Sequence, residues 1–333
     1  MTTMLFAVIA LVAIALIFDF TNGFHDAANS IATVVATGTL TPLQAVLMAA
    51  FFNFVAMWVF DLKIAATIGK GIVDPGIVDL YVLFGCLAGA IVWNMITWWF
   101  GLPTSSSHAI IGGLVGAVIA KAGFDPLIYE GIIKVAAFIL ISPVLGFILG
   151  AGIFTVLKVA YAESDRSDRW FRWLQVASAS LYSLGHGSND AQKTAGVIFL
   201  ILIAGGYLTK NDAIPFWVVL SSFAVMGLGT LAGGWKIVKT LGYKLTALNP
   251  KSGFAAEVGG SVMLFGASTL GVPVSTTHTI TGSILGVGSA QKDPNVSWNV
   301  AKSILFAWVL TIPAAALLSA SFWVLARTWA GHI

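Results

Sequence analysis

One feature constrains this chain more than any other: a pair of motifs is written twice. Gly23-Phe24-His25-Asp26-Ala27-Ala28-Asn29-Ser30 returns as Gly187-Ser188-Asn189-Asp190-Ala191-Gln192-Lys193-Thr194. At an offset of 164, Asp26 meets Asp190, Ala27 meets Ala191 and Ser30 meets Thr194. Farther along each half comes a hydroxyl-rich run, Pro103-Thr104-Ser105-Ser106-Ser107-His108 and then Pro273-Val274-Ser275-Thr276-Thr277-His278, at an offset of 170. The same offset carries Gly101 to Gly271, Gly112 to Gly282, Gly116 to Gly286, Ala137 to Ala307 and Pro143 to Pro313. The chain is therefore a duplicated unit. We divide it into a first repeat at 1–160, a charged linker at 161–172 and a second repeat at 173–333.

What such a unit folds into follows from its solvent. Hydrophobic residues make up 58% of the chain and charged residues 9%, against roughly 45–50% and 25% in soluble domains. Mean hydropathy is +0.92. Apolar runs start at residue 4 and recur to the C-terminus, which excludes one signal segment ahead of a soluble domain. These numbers predict an all-α polytopic membrane protein. The single cysteine, Cys86, sits in an apolar run and excludes an internal disulfide and a thiolate metal cluster.

Segments fall out in order. Residues 4–20 are long enough to span a bilayer, and the first acid motif, 21–30, reads as a break after them. Residues 43–60 and 77–100 follow, separated by a loop at 61–76. The stretch 109–120 is too short to span and reads as a re-entrant half-helix, and residues 131–160 are interrupted at Pro143. In the second repeat, 173–185 lead into the second acid motif. A basic loop covers 233–252, a short Gly-rich helix follows the second hydroxyl run, and a last span near 300–328 is interrupted at Pro313. Lys158, Arg166, Arg169 and Arg172 at the linker, and four lysines in 233–252, place both on the cytoplasmic side by the positive-inside rule. The N-terminus and the 61–76 loop then lie outside. Matching loops on opposite sides mean two inverted-topology repeats with broken or re-entrant helices at a central site, an architecture of secondary transporters.

Asp26 and Asp190 are the acids at corresponding points of apolar sequence. A carboxylate at membrane depth binds a cation, holds a proton or caps a helix. Asn29, Asn189 and Gln192 beside them offer oxygens to a hard cation or donors to an oxyanion. Lys193 either neutralises Asp190, meets an anion or snorkels to the interface. Each hydroxyl run opens a helix, so Ser105, Ser106, Ser107, Ser275, Thr276 and Thr277 combine hydroxyls with backbone N–H groups and the positive helix end, a ready oxyanion site. Ordinary capping and small-residue packing is the plainer alternative. His108 and His278 either relay protons or bond a nearby carbonyl. His25 and His186 flank the acids, and neither has a second ligand at metal spacing, so no metal site beyond Na⁺ is expected. Glu257 is a coupling or gating acid, or an end charge. All four arginines lie in the linker or at Arg327. An oxyanion here is thus held by hydroxyls, amides and helix ends beside two carboxylates. Their repulsion calls for a proton or Na⁺, and the pattern reads as cation-coupled anion uptake.

At these residues the sequence resembles the inorganic phosphate transporter family. The carriers are 23–30, His186 through Thr194, 103–108, 273–278 and Gly253-Phe254-Ala255-Ala256-Glu257. The resemblance implies a homodimeric, inverted-repeat symporter in the bacterial cytoplasmic (inner) membrane, in contact with membrane lipid. It would take up inorganic phosphate, alone or as a metal–phosphate complex, with H⁺ or Na⁺. The resemblance would place Asp26, Asn29, Asp190 and the Ser/Thr motifs at the site. Joined to the reading of the residues above, phosphate is expected to meet Ser105, Ser106, Ser107, Ser275, Thr276, Thr277, Asn29, Gln192 and Lys193, and the coupling cation Asp26, Asp190, Asn189 and Glu257. Glu257 matches a glutamate that family members need for transport, whose first-half counterpart reads here as Asn53. No resident cofactor, no enzymatic activity and no nucleic-acid partner are implied. A sulfate permease of the same fold is the nearest alternative. A passive anion channel would not need paired acids, and a serine hydrolase wants one activated hydroxyl rather than two degenerate runs.

Overall fold

Helix ends follow from cap residues that the sequence already carries. The computed structural model describes residues 2–161 and 164–330. Its first repeat contains α1 (Thr2–Ala36), α2 (Pro42–Val55), α3 (Lys63–Lys70), α4 (Leu80–Phe100), α5 (Ser106–Ala122) and α6 (Tyr129–Ala160). Its second contains α7 (Asp165–Ala204), α8 (Phe216–Ala232), α9 (Trp235–Lys239), α10 (Pro250–Thr269), α11 (Thr276–Ala290) and α12 (Trp298–Ala330). Thr41 and Gln44 form a capping box around Pro42, and Asn249 and Ser252 do the same around Pro250. Asp79 caps α4 by accepting from Val82 N–H at 2.8 Å. Gly101 and Gly271 both take φ +65°, the left-handed conformation that ends α4 and turns the chain after α10.

The repeats are inverted. α1 begins where α7 ends, with Val8 packed on Gly205. It finishes where α7 begins, with Arg172 Nη1 donating to Gly38 O at 2.7 Å. We call these ends the N-terminal face and the linker face. α2 and α3 form one pair bent by 80°, and α8 and the helical turn 235–244 another bent by 60°. Each pair reaches across to the opposite repeat in the same way. Lys63 Nζ donates to Thr269 O (3.1 Å) and Thr67 Oγ1 to Gly271 O (2.8 Å). Lys236 Nζ donates to Trp99 O (3.1 Å) and Thr240 Oγ1 to Gly101 O (2.8 Å). The short helices are also exchanged: α5 packs on α12 and α11 on α6. These approaches are close enough that a Cβ at Gly112 would lie 2.8 Å from Ile312 O, and one at Gly282 would clash with Pro143 O.

Among the described residues four helices, α1, α4, α6 and α12, are long and apolar enough to cross a membrane, and up to six spans result if each bent pair counts as one. Helices α6 and α12 turn Leu140, Val156, Val309 and Leu317 outward, the faces expected to meet lipid. Several expectations are corrected. The acid motif 21–30 is no break: α1 runs through it without interruption. Gly23 serves close packing there instead, because a Cβ would collide with Met226 O of α8. Pro143 and Pro313 do not interrupt their helices, which run through both residues. The loop 61–76 holds α3, and the basic loop 233–252 holds α9 and a π-helical turn. The linker 161–172 is mostly the first turns of α7, and its residues 162 and 163 lie outside the described residues.

Candidate functional site

Polar residues 22, 26, 29 and 33 recur on α1 at spacings of four, three and four, which puts them on one face. Helix α7 presents 186, 189, 190 and 193 in the same way. The two faces meet the N-termini of α5 and α11 in the middle of the molecule. Ser105 and Ser275 are the caps, accepting from His108 N–H (3.2 Å) and His278 N–H (3.1 Å). The second and third hydroxyls of each run are thereby left to point into the site.

Most of the expected residues come together there. Asp26 Oδ1 lies 2.6 Å from His25 Nδ1, which donates to it, and Oδ2 accepts from Ser106 Oγ at 2.9 Å. Ser106 Oγ also lies 2.5 Å from Asn22 Oδ1, so its single hydrogen is shared between two acceptors. On the other side Lys193 Nζ donates to Asp190 Oδ1 (2.6 Å), Ser107 Oγ (2.5 Å) and Val274 O (2.9 Å). Thr276 Oγ1 lies 3.3 Å from Asp190 Oδ2, and Asn29 Nδ2 donates to Thr276 Oγ1 (3.2 Å) and Thr277 Oγ1 (2.8 Å). All these groups are buried. Asn29 Oδ1 and both amide atoms of Asn189 have no hydrogen-bond partner among the described residues. Lys193 does not snorkel, because the three oxygens hold its ammonium inside.

The expectation of no metal-capable group is revised. Asp26, His186 and Asp190 each offer a ligand atom, all within 4.8 Å of one another. His186 is one helical turn before Asp190, the i, i+4 spacing that puts two ligands on one face, and Asp26 comes from the other repeat. At that separation two carboxylates repel by about 3.5 kcal/mol for an effective dielectric of about 20. Lys193 and His25 offset part of this. A cation or proton between the acids removes the rest.

Two further sites are reorganised by the fold. Gln192 faces away from the hydroxyls. Its Oε1 accepts from Ile64 N–H (3.1 Å) and Ala65 N–H (3.3 Å), and its Nε2 donates to Asp61 O (3.0 Å). It thus caps α3 in the bend. Glu257 sits nearer the linker face, where Thr33 donates to Oε1 (2.6 Å), Gln175 donates to Oε1 (3.1 Å) and Ser178 donates to Oε2. Its counterpart in the first repeat is Leu87 on α4, at the 170 offset, and not Asn53, which lies on α2. Asn53 instead accepts at Oδ1, 3.1 Å from His186 Nδ1, and so orients that histidine. The repeats differ around Glu257: Leu11, Ile14 and Val197 stand at the N-terminal face where Gln175, Ser178 and Thr33 stand at the linker face.

His108 and His278 meet edge to face behind the site, with ring centres 4.7 Å apart. His278 also stacks on Trp308 at 3.7 Å. Its Nδ1 lies 3.5 Å from Ile139 O, the carbonyl that Pro143 leaves without a helical donor. The sequence motifs do not include Asn22, Gln175, Ser178 or Thr33. The signal for Asn22 and Thr33 was the three- and four-residue spacing from Asp26.

Inverted repeats, bent span pairs and two half-helices pointing inward to a buried polar centre make a helical membrane protein with the architecture of a transporter. The phosphate transporter family matches twice, over residues 22–170 and 160–319, which repeats the internal duplication. A "Probable low-affinity inorganic phosphate transporter" of Rhizobium meliloti is 54% identical over 314 residues, covering 94% of each chain. A protein of the same description from Bacillus subtilis is 44% identical over 324 residues, covering 96% of this chain and 97% of its own. A solved structure described as "The sodium-dependent phosphate transporter" superposes with a TM-score of 0.86 at 26% identity, covering 97% of this chain and 99% of that one. The chain belongs to the phosphate transporter family.

Proposed function

We propose that this protein imports inorganic phosphate across the bacterial cytoplasmic membrane by H⁺ or Na⁺ symport, with alternating access around the central site. One observation carries the reading: two Ser-capped half-helices, one from each repeat, aim their N-termini at one buried point that also holds Lys193. Positive helix ends and a buried ammonium favour an oxyanion. Ser106, Ser107, Thr276 and Thr277 supply hydroxyls, and Asn29 aligns the last two. Phosphate would take Lys193 from Ser107 and Val274 while Asp190 keeps its ion pair. Asp26 and Asp190, with Asn189, take the coupling cation, which screens them from the anion. Glu257 ties α1, α7 and α10 together at the linker face, so its protonation or ion binding biases which face is closed. The names of the relatives support phosphate over sulfate as cargo.

The test is uptake of labelled phosphate into proteoliposomes under imposed Na⁺ or H⁺ gradients with excess unlabelled sulfate. We expect accumulation that follows one gradient and ignores sulfate. Uptake blocked by sulfate, or insensitive to every gradient, would refute the proposal. The cluster of Asp26, His186 and Asp190 favours a metal–phosphate complex as a second reading, under which chelating divalent ions abolishes uptake.

A further inference from the structure

Asp19 takes no part in the site described above. It lies on α1 seven residues before Asp26, about 10 Å nearer the N-terminal face at ~1.5 Å per residue. Its side chain is fully buried, at 0% exposure. Oδ1 accepts one hydrogen bond, 2.8 Å from Thr194 Oγ1 on α7. Oδ2 has no hydrogen-bond partner among the described residues. The other buried acids are better provided: Asp26 by His25 and Ser106, Asp190 by Lys193 and Thr276, and Glu257 by three donors.

The titratable groups around Asp19 supply no counter-charge within ion-pair distance among the described residues. Helix α7 presents Asp190, paired with Lys193, and His186. Helix α4 carries Cys86 and Tyr81, α5 carries His108 and Lys121, and α1 itself His25 and Asp26. Helix α3, packed on α7, carries Lys63, which donates to Thr269 O, and Lys70, which lies over the Phe199 ring, and α7 also carries Tyr182. Helices α2 and α8 carry no titratable residue, α10 and α11 offer Glu257, Lys251 and His278, and Lys236, Lys239 and Lys244 belong to the linker-face half.

An unpaired buried carboxylate must be neutralised by something. A hard metal ion wants several oxygens, and Thr194 alone bonds to Asp19. A proton needs no such shell. We propose that Asp19 is a proton-binding site, separate from the central acid pair, and that it couples phosphate movement to protons. On loading, Oδ2 takes a proton from a hydronium ion, leaving water and a neutral acid. On release that O–H bond breaks and the proton returns to water. Position supports the role. Leu11, Ile198 and Ile201 pack in the apolar core toward the N-terminal face, so Asp19 is the last acid before that seal. Thr194 ties it to the helical turn that carries Asp190 and Lys193. An ionised Asp19 would add a third negative charge near bound phosphate, so protonation and phosphate binding favour each other.

This inference rests on the symporter reading. Its test is Asp19→Asn, which keeps the shape of the neutral acid and cannot load a proton. In proteoliposomes under a pH gradient, we expect the wild type to accumulate labelled phosphate. Asp19→Asn is expected to exchange phosphate across the membrane while accumulating no more than vesicles without a gradient. Gradient-driven accumulation by Asp19→Asn, or a wild type that follows Na⁺ and ignores pH, would overturn the proposal. Phosphate carried by neither protein under any gradient would overturn the transport reading and this inference with it. Infrared spectroscopy of the folded wild type gives a second readout. A protonated-carboxyl stretch at neutral pH that Asp19→Asn removes and Asp19→Glu keeps is expected, and its absence from the wild type would overturn the assignment even if Asp19→Asn failed to fold.

Discussion

Replacing Lys193 by Gln separates the two tasks given to its ammonium. The Nζ atom lies 2.6 Å from Asp190 Oδ1, and both side chains are shielded from solvent. Removing one partner of a buried pair and leaving the other charged costs about 3–5 kcal/mol. Asp26, within 4.8 Å of Asp190 through their ligand atoms, would then face an uncompensated carboxylate. We expect Lys193→Gln to lower thermal stability in detergent. Phosphate affinity, measured by isothermal titration on the folded fraction, should drop by about 100-fold or more, since each ~1.4 kcal/mol is a factor of ten. The double variant Asp190→Asn with Lys193→Gln removes both charges, so most of the stability should return while phosphate binding does not. A Lys193→Gln protein that binds phosphate within about twofold of the wild type, well under the ~1.4 kcal/mol of a single decade, would refute the reasoning. A double variant as unstable as the single one would refute the electrostatic account.

Ser106→Ala and Thr276→Ala should each raise the phosphate concentration for half-maximal uptake about fivefold, the equivalent of one hydrogen bond of ~1 kcal/mol, and unchanged kinetics in both would make these hydroxyls structural. Gln192→Ala removes the acceptor for two N–H groups of α3, so the melting temperature should fall while phosphate affinity of the folded protein holds. Glu257→Gln should keep phosphate exchange and lose gradient-driven accumulation in the same vesicles.

Much of this architecture is legible from the sequence because the chain states it twice. Paired offsets locate the repeats, and the lysine and arginine loops give their inversion. The cap pattern Pro-x-Ser before a small-residue run gives both half-helices. Other features depend on packing between distant segments. Asp26 looks like a residue in a break because Gly23 and Asn29 surround it. The helix stays whole because α8 closes directly over Gly23. Gln192 resembles a ligand in its motif, and only the bend between α2 and α3 turns it into a cap. The grouping of His186 with Asp26 needs the two repeats brought face to face, which no local spacing encodes. The Leu87 counterpart of Glu257, by contrast, already follows from the 170 offset.

The central claim is that an oxyanion sits between the two half-helix N-termini. Arsenate, a tetrahedral oxyanion of similar charge, carries an anomalous scatterer and tests this directly in crystals of the protein. We expect one arsenic peak within hydrogen-bond reach of Ser106, Ser107, Thr276 and Thr277 and beside Lys193, displaced by added phosphate. A peak confined to surface lysines, or one at the central site that phosphate does not displace, would contradict it.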